Sequence, residues 1–335
     1  MSETKEILTD SFGRKHDYLR ISLTERCNLR CTYCMPAEGI KLRPRAEFMR
    51  TEEVVSIAKT FVGLGVKKIR LTGGEPFVRK DVDSVLTQLS KLPIELRITT
   101  NGILIDKHIE TLKSCGIKSV NVSLDSLRSQ RNMSITRRNQ FDRVMRNINL
   151  LLEQDFEVKV NCVVLKGVND DEVVDFIAWT KTAPIHVRFI EFMPFDGNNW
   201  DWSNGVSLDE ILQRTAQAFG PFGFERIPDR QNDTSKNYRL KKAKGTFAII
   251  STVTNPFCDT CNRIRLTADG KLKNCLFSNS ETDLLTALRT GDDVLPLIKT
   301  SIKSKKAIRA GMETDDAFSN KDAHSSNRKM VAIGG

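Results

Sequence analysis

The chain has 335 residues, 39% of them hydrophobic, with 52 Lys and Arg against 42 Asp and Glu and a formal charge of +10. Such a length buries a full core in one large domain or two, while the absence of an opening apolar signal segment and of any run long enough to span a membrane argues for a cytoplasmic protein with reduced thiols, not a disulfide scaffold. The positive balance favours an anionic partner, which charge alone leaves open between nucleic acid, a membrane surface and a phosphorylated small molecule.

After an arm over residues 1–17, short β-rich runs alternate with amphipathic helical patterns from Tyr18 to Met193. The runs are Tyr18 to Leu23, Lys67 to Leu71, Ile94 to Thr99, Lys118 to Leu124, Glu157 to Val164 and Ile185 to Phe192. Helical patterns fall at Thr51 to Phe61, Val82 to Leu92, Asp106 to Cys115, Phe141 to Leu152 and Asp171 to Thr180. Strands joined by helical crossovers run parallel, so six in a row predict either an open doubly wound sheet or most of a (β/α) barrel, with chemistry at the carboxyl ends of the strands.

Directly after the first run stand Cys27, Cys31 and Cys34, within eight residues and beside Arg26 and Arg30. Charged neighbours make this a poor core stretch. Four cysteines would close a structural zinc site or an electron-transfer cluster; three on a four-iron cubane leave one iron free for a reactant, so the spacing suggests chemistry at the metal.

Four strand ends carry polar turns: Thr72 to Pro76 (with Gly73, Gly74 and Glu75), Thr99 to Gly102, Ser123 to Ser126 and Glu191 to Pro194. Turn chemistry accounts for any one of them, but four on one rim beside a thiol trio point to a site. The paired glycines let main chain approach a ligand closely, and no GxGxxG dinucleotide fingerprint is present. Within the runs, Arg20, Arg70, Lys159 and Arg188 share strand faces with Ser22, Thr72, Asn161 and His186. Burying one unpaired charge costs several kcal/mol, so four converging cations need counter-charges. Glu75, Asp125 and Glu191 are internal candidates; a bound polyphosphate is the alternative.

A C-terminal region begins near the loop Pro194 to Asn204. It shows a helical pattern over Leu208 to Phe219 and a strand over Gly245 to Thr252. A second trio follows: Cys258, Cys261 and Cys275, the last folded back by an Asp269-Gly270 hairpin turn. Zinc and a cluster are both open here on spacing alone. Arg263 and Arg265 add two cations on one strand face, whereas Cys115 and Cys162 read as core. Leu295, Ile298 and Ile302 recur at helical spacing with Lys299, Lys303 and Lys306 on another face, a solvated helix. Met312 to Lys329 is polar and weakly patterned, hence expected to be mobile.

The first trio with Tyr33, the glycine-glycine-glutamate-proline element Gly73 to Pro76, the stretches Tyr18 to Ser22 and Met35 to Gly39, the second trio with Asn262 to Arg265, and terminal Gly334 and Gly335 resemble the GTP 3′,8-cyclases. These are radical S-adenosylmethionine enzymes of molybdenum cofactor biosynthesis. The resemblance covers nearly the whole chain and implies an α/β fold, an incomplete (β/α)6 TIM-like barrel over 18–195. A C-terminal region over 196–320 would carry a second [4Fe-4S] cluster, and 321–335 would be a flexible tail. Cys27, Cys31 and Cys34 would hold the first cluster, with Tyr33, Gly74, Ser123 and Met193 contacting S-adenosylmethionine. Cys258, Cys261 and Cys275 would hold the second, displacing the zinc reading.

The same resemblance implies that a 5′-deoxyadenosyl radical takes hydrogen from the ribose of GTP, giving 3′,8-cyclo-7,8-dihydro-GTP. Arg20, Arg70, Thr99, Lys159, Arg263, Ile264 and Arg265 match GTP-contacting positions, and the buried-cation argument adds Arg188. Arg263, Arg265, Gly334 and Gly335 are the expected catalytic contributors, the glycines threading into the site. An electron donor such as a flavodoxin or ferredoxin, a downstream cyclic pyranopterin monophosphate synthase and a homodimer are implied as partners. A peptide-modifying radical enzyme would share the first trio without needing the strand cations, and a basic zinc protein binding nucleic acid would show more base-stacking aromatics. The basic segment Met133 to Asn139 has no role assigned by sequence.

Overall fold

A computed structural model describes residues 7–320 and 322–334. Six parallel strands lie side by side in chain order: β1 (Tyr18–Ser22), β2 (Lys68–Thr72), β3 (Glu95–Thr100), β4 (Ser119–Ser123), β5 (Glu157–Val164) and β6 (His186–Glu191). They are linked by α1 (Thr51–Gly63), α2 (Val82–Leu89), α3 (Ile109–Ser114), α4 (Ser129–Thr136), α5 (Phe141–Glu153) and α6 (Val173–Trp179). The strands sit within one or two residues of the predicted runs because both faces must be filled. Leu19, Ile21, Ile69, Val120, Val160 and Val187 are buried on the face that meets the helices.

Three predicted helices are shorter than their patterns, and the pattern Val82 to Leu92 ends at Leu89. Asp106 to Cys115 divides into a 3-10 turn, Ile105–Lys107, and α3; Asp171 to Thr180 begins as the 3-10 turn Asp170–Glu172 before α6. The segment Met133 to Asn139, unassigned by sequence, starts inside α4 and stops at Arg137, whose φ of 55° ends the helix.

After α7 (Leu208–Phe219), capped by the reciprocal Ser207 and Glu210 bonds, the C-terminal region builds on both edges of the sheet. The unpredicted hairpin β7 (Phe224–Ile227) and β8 (Lys236–Leu240) leads into β9 (Thr246–Ile250), which runs parallel to β6. At the opposite edge β10 (Arg263–Leu266) runs parallel to β1, followed by β11 (Lys271–Lys273) and β12 (Thr282–Asp283). The hairpin turn at Asp269 and Gly270 is where the sequence put it, with Gly270 at φ +69°.

Helices α8 (Leu284–Thr290) and α9 (Val294–Lys303) then pack on that edge, and α10 (Asp315–Ser319), α11 (Asp322–Ser325) and α12 (Met330–Ile333) follow. Within the segment 312–329, expected from sequence to be mobile, the structure shows specific anchors. Phe318 is fully buried, edge-on to Trp200 at 5.9 Å, to Phe277 at 5.0 Å and to His324 at 5.2 Å. Arg328 donates to Asp269 at 2.7 and 2.9 Å and to Glu281 at 2.7 and 2.5 Å. A few strong anchors dock a segment whose overall pattern is weak. No helix among the described residues is long and apolar enough to cross a membrane.

Candidate active site

The loop from β1 carries Cys27, Cys31 and Cys34 and is held from three sides. Gly74 N–H donates to the Thr24 carbonyl at 2.6 Å and Glu75 N–H to the Arg26 carbonyl at 2.8 Å. A Cβ at Gly74 would lie 2.4 Å from the Arg26 oxygen. A close approach that demands glycine here is to the cysteine loop itself. Arg137 braces the other end by donating to the Arg30 and Met35 carbonyls, both at 3.1 Å, which gives the basic segment a structural task. Third, the Val331 N–H of α12 faces the Cys34 sulfur.

Burial pushes the Cys27 thiol up to about 11 and Cys34 to about 12, and raises Cys31 as well. Tyr33, between them, donates its hydroxyl to Asp125 at 2.8 Å. Gly74, Ser123 and Met193 follow or end β2, β4 and β6, all at the carboxyl edge of the sheet. Gly334 also reaches that edge, since its Cβ would stand 2.5 Å from Thr72 Oγ1 and 2.9 Å from Ser22 Cβ. Gly335 lies outside the described residues.

Below this rim runs a row of cations. Arg265, Arg20, Arg70 and Arg97 are successive register partners across β10, β1, β2 and β3. Sequence reasoning missed Arg97, although its parity with Thr99 marks it for the same face. Tyr18, also missed, accepts from Arg70 Nε at 2.5 Å. Burial would raise its phenol, but Arg70, Arg20 and Arg263 together pull it down to about 7. Arg70 further donates to the Ile98 carbonyl at 3.2 Å and Thr99 Oγ1 at 3.4 Å. Farther along, Arg188 donates twice to Asn161 Oδ1, at 2.9 and 2.6 Å.

Burial, helped by the neighbouring cations, lowers Arg20 and Arg188 to about 9 and Lys159 to about 8. The carboxylates offered by sequence as counter-charges are occupied elsewhere. Glu75 accepts from Thr100 and from the Asn101 and Phe77 amides. Asp125 holds Tyr33 and the Val163 amide, and Glu191 holds Val253 and Thr254.

The second trio borders β10, and its three thiols influence one another electrostatically. Lys305, a residue sequence reasoning passed over, donates to Cys261 Sγ at 3.5 Å and to the Arg263 carbonyl at 3.0 Å. Although burial opposes it, Arg263, Lys305 and Arg265 draw the Cys261 thiol down to about 6. Nε of both Arg263 and Arg265 is buried without a hydrogen-bond partner. The Ile264 side chain is fully buried in the apolar core on the other face of β10, as strand alternation requires, so its main chain is what it presents on the cation face. Among the described residues no group of three or more His, Cys, Asp or Glu side chains is drawn together as around a single metal ion.

Comparison with known proteins agrees with this arrangement. A family model described as Radical SAM superfamily matches residues 21–180, and one described as Molybdenum Cofactor Synthesis C matches residues 185–310. The chain is 46% identical to the mitochondrial GTP 3′,8-cyclase of Arabidopsis thaliana over 98% of its length and 84% of that protein. With the GTP 3′,8-cyclase of Listeria welshimeri identity is 40%, over 98% of the chain and 100% of the relative. Molybdenum cofactor biosynthesis protein 1 of Mus musculus is 45% identical over 98% of the chain but 51% of that protein, so the chain spans about half the length of several relatives. In fold it is similar to the crystal structure of Streptococcus suis SuiB bound to S-adenosylmethionine, with a TM-score of 0.64, 16% identity, and coverage of 87% of this chain and 68% of that one. The chain belongs to the GTP 3′,8-cyclase family of radical S-adenosylmethionine enzymes.

Proposed function

We propose that the protein converts GTP to 3′,8-cyclo-7,8-dihydro-GTP, the first step of molybdenum cofactor biosynthesis, using two [4Fe-4S] clusters and S-adenosylmethionine. The observation that carries this reading is the register row Arg265, Arg20, Arg70 and Arg97, with Lys159 and Arg188 near it but out of its register. Like charges placed opposite one another on adjacent strands destabilise an empty sheet, so the row calls for a polyanion. A triphosphate supplies that charge in a compact form that guanidinium groups bind well.

Both trios fit iron–sulfur clusters by donor chemistry. Soft thiolates suit iron, and the first trio's raised thiols need a bound cationic metal to stay ionised. At the second, buried Arg263 and Arg265 atoms without acceptors suit an anionic assembly of thiolates, sulfides and substrate. When bound, the cluster at Cys27, Cys31 and Cys34 with S-adenosylmethionine supplies the one-electron chemistry that removes a ribose hydrogen atom.

The chain's own residues orient and shield. Asp125 fixes Tyr33 beside the first trio; Gly74, Ser123 and Met193 form the rim for S-adenosylmethionine. Arg70 holds Thr99 and Tyr18, and Lys159 and Arg188 neutralise phosphate. Arg263 and Arg265 stand between the nucleotide and the second trio, and Gly334 closes the rim against Thr72 and Ser22. Arg188 shares a field with Arg70 and Tyr18, four and five strands away in the sheet order. At about 4.8 Å per strand a flat sheet would separate them by about 20 Å or more, so this supports curvature into an incomplete (β/α)6 barrel over 18–195, completed by 196–320.

An electron donor such as a flavodoxin or ferredoxin, a cyclic pyranopterin monophosphate synthase that consumes the product, and a homodimer belong to the same reading. Anaerobic reconstitution tests it: about eight irons per chain are expected for two four-iron clusters, with 5′-deoxyadenosine formed only when GTP is added. Four irons with one zinc, or equal turnover with ATP or a peptide, would overturn it.

A further inference from the structure

Lys305 is 4% exposed, just beyond the end of α9, and its ammonium is spent on an unusual pair of acceptors: Cys261 Sγ at 3.5 Å and the Arg263 carbonyl at 3.0 Å. A buried lysine ordinarily faces a carboxylate, because a solvated charge gives up several kcal/mol on entering the interior. Here the neighbours are the thiols of the second trio and more cations, Arg14 and Arg263.

The position of Lys305 is itself built. Arg14 reaches across from the N-terminal arm and donates to the Ala307 carbonyl at 2.7 Å, the Lys306 carbonyl at 2.8 Å and the Cys258 carbonyl at 2.9 Å. Asp10 anchors Arg14 Nε at 2.6 Å and also meets His16 Nε2 at 3.0 Å. One guanidinium thus fixes the main chain next to Lys305 and the main chain of a thiol in the same trio. Such a clasp is more than is needed to cover a hydrophobic edge, and it sets the distance between an ammonium and a metal-binding sulfur.

We propose that Lys305 is a positioning residue for the second iron–sulfur centre: its ammonium holds the Cys261 sulfur by a hydrogen bond and raises the reduction potential of the group bound there. An N–H donor on a ligating sulfur withdraws electron density from it, and a fixed positive charge favours the more reduced, more negative state. The carbonyl bond to Arg263 ties the same cation to the first residue of β10, so cluster ligand and substrate-facing strand are held by one side chain.

The proposal rests on the second trio holding a four-iron cluster, and the test separates the two claims. In the Cys27→Ser/Cys31→Ser/Cys34→Ser background, which leaves the second trio alone, the full chain is reconstituted anaerobically with iron and sulfide. Iron is counted and the midpoint potential is titrated by electron paramagnetic resonance for the parent, Lys305→Gln and Lys305→Arg. The parent takes up about four irons; the Gln variant shifts to a more negative midpoint and the Arg variant returns towards the parent. Loss of iron in the Gln variant that Arg restores also supports a role for the cation. A Gln midpoint equal to the parent's at full iron, or loss of iron in both variants, overturns the role of Lys305 while leaving the cluster intact as a claim. A parent that binds zinc or no iron overturns the cluster and the proposal together.

Discussion

Arg265 stands directly opposite Arg20 in the register of two parallel strands drawn from opposite ends of the chain. Each is flanked by further cations, and burial with neighbouring cations lowers Arg20 to about 9 and Arg265, beside Arg263, to about 10. On the reading proposed above, a bound triphosphate would offset this repulsion.

Lys159→Met tests that trade. Its folded-state value of about 8 lies below the ordinary 10.5, so the unfolded chain binds the proton more tightly. The cost to stability is fully present below about pH 8 and fades as pH rises towards the unfolded value. At pH 7 the Met variant should melt higher than the parent while binding GTP about ten- to hundredfold more weakly, as a lost charge-assisted bond requires. Calorimetry and equilibrium binding check both, and a lower melting point would show that the lysine is a structural group.

The pH dependence of GTP binding follows from the same residue. Triphosphate prefers the protonated amine, so the contribution of Lys159 to affinity should fall by up to about tenfold per unit above about pH 8. Tyr18, drawn down to about 7 after its burial is outweighed by Arg70 and Arg20, adds a competing negative charge over the same range. Lys159→Arg and Tyr18→Phe separate the two contributions, and a pH-independent affinity in the parent would contradict both.

Gly74→Ala places a methyl 2.4 Å from the Arg26 carbonyl oxygen and 2.9 Å from that of Glu25, main-chain atoms with nowhere to yield. The cysteine loop should shift, leaving the second site loaded and the first empty. Reconstituted iron should drop from about eight to about four per chain. Full iron and unchanged S-adenosylmethionine affinity would mean the loop tolerates the methyl.

Arg328→Ala removes the bidentate contact to Asp269 and the pair of bonds to Glu281 that hold the tail. Amide exchange over 330–334 should accelerate and limited proteolysis should open near 320, with iron content kept. Deleting Gly334 and Gly335 should likewise spare metal but suppress turnover. An unchanged exchange pattern in the first variant, or full activity in the second, would assign these residues no role in closing the rim.

Much of this was legible from sequence because its physical causes are local. Buried strands read as β-branched runs, and a charged residue at the parity of a polar one marks the site face; Arg97 follows the same rule and was simply not taken with its neighbours. Lys305 gave no such signal, since Lys299, Lys303 and Lys306 around it look like one solvated face and only the Arg14 clasp turns Lys305 inward. The contacts of the tail were hidden for a related reason. Its docking depends on Phe318 and Arg328, two anchors spread through a polar stretch, and their partners Trp200, Phe277 and Asp269 are distant in sequence. The hairpin β7 and β8 was passed over although its pairing is local, because its strands are short and β7 is largely exposed, without a clear apolar alternation.

The pairing of β1 with β10 also sets an order of events at the ribosome. Strand β1 acquires β2 as a neighbour early, but its other side stays an open edge until residues 263–266 have been synthesised. Domains generally consolidate as the chain emerges, and unpaired strand edges are points of aggregation. An edge left open that long, beside the Cys27 to Cys34 loop, is the part of the nascent sheet most exposed to wrong pairing.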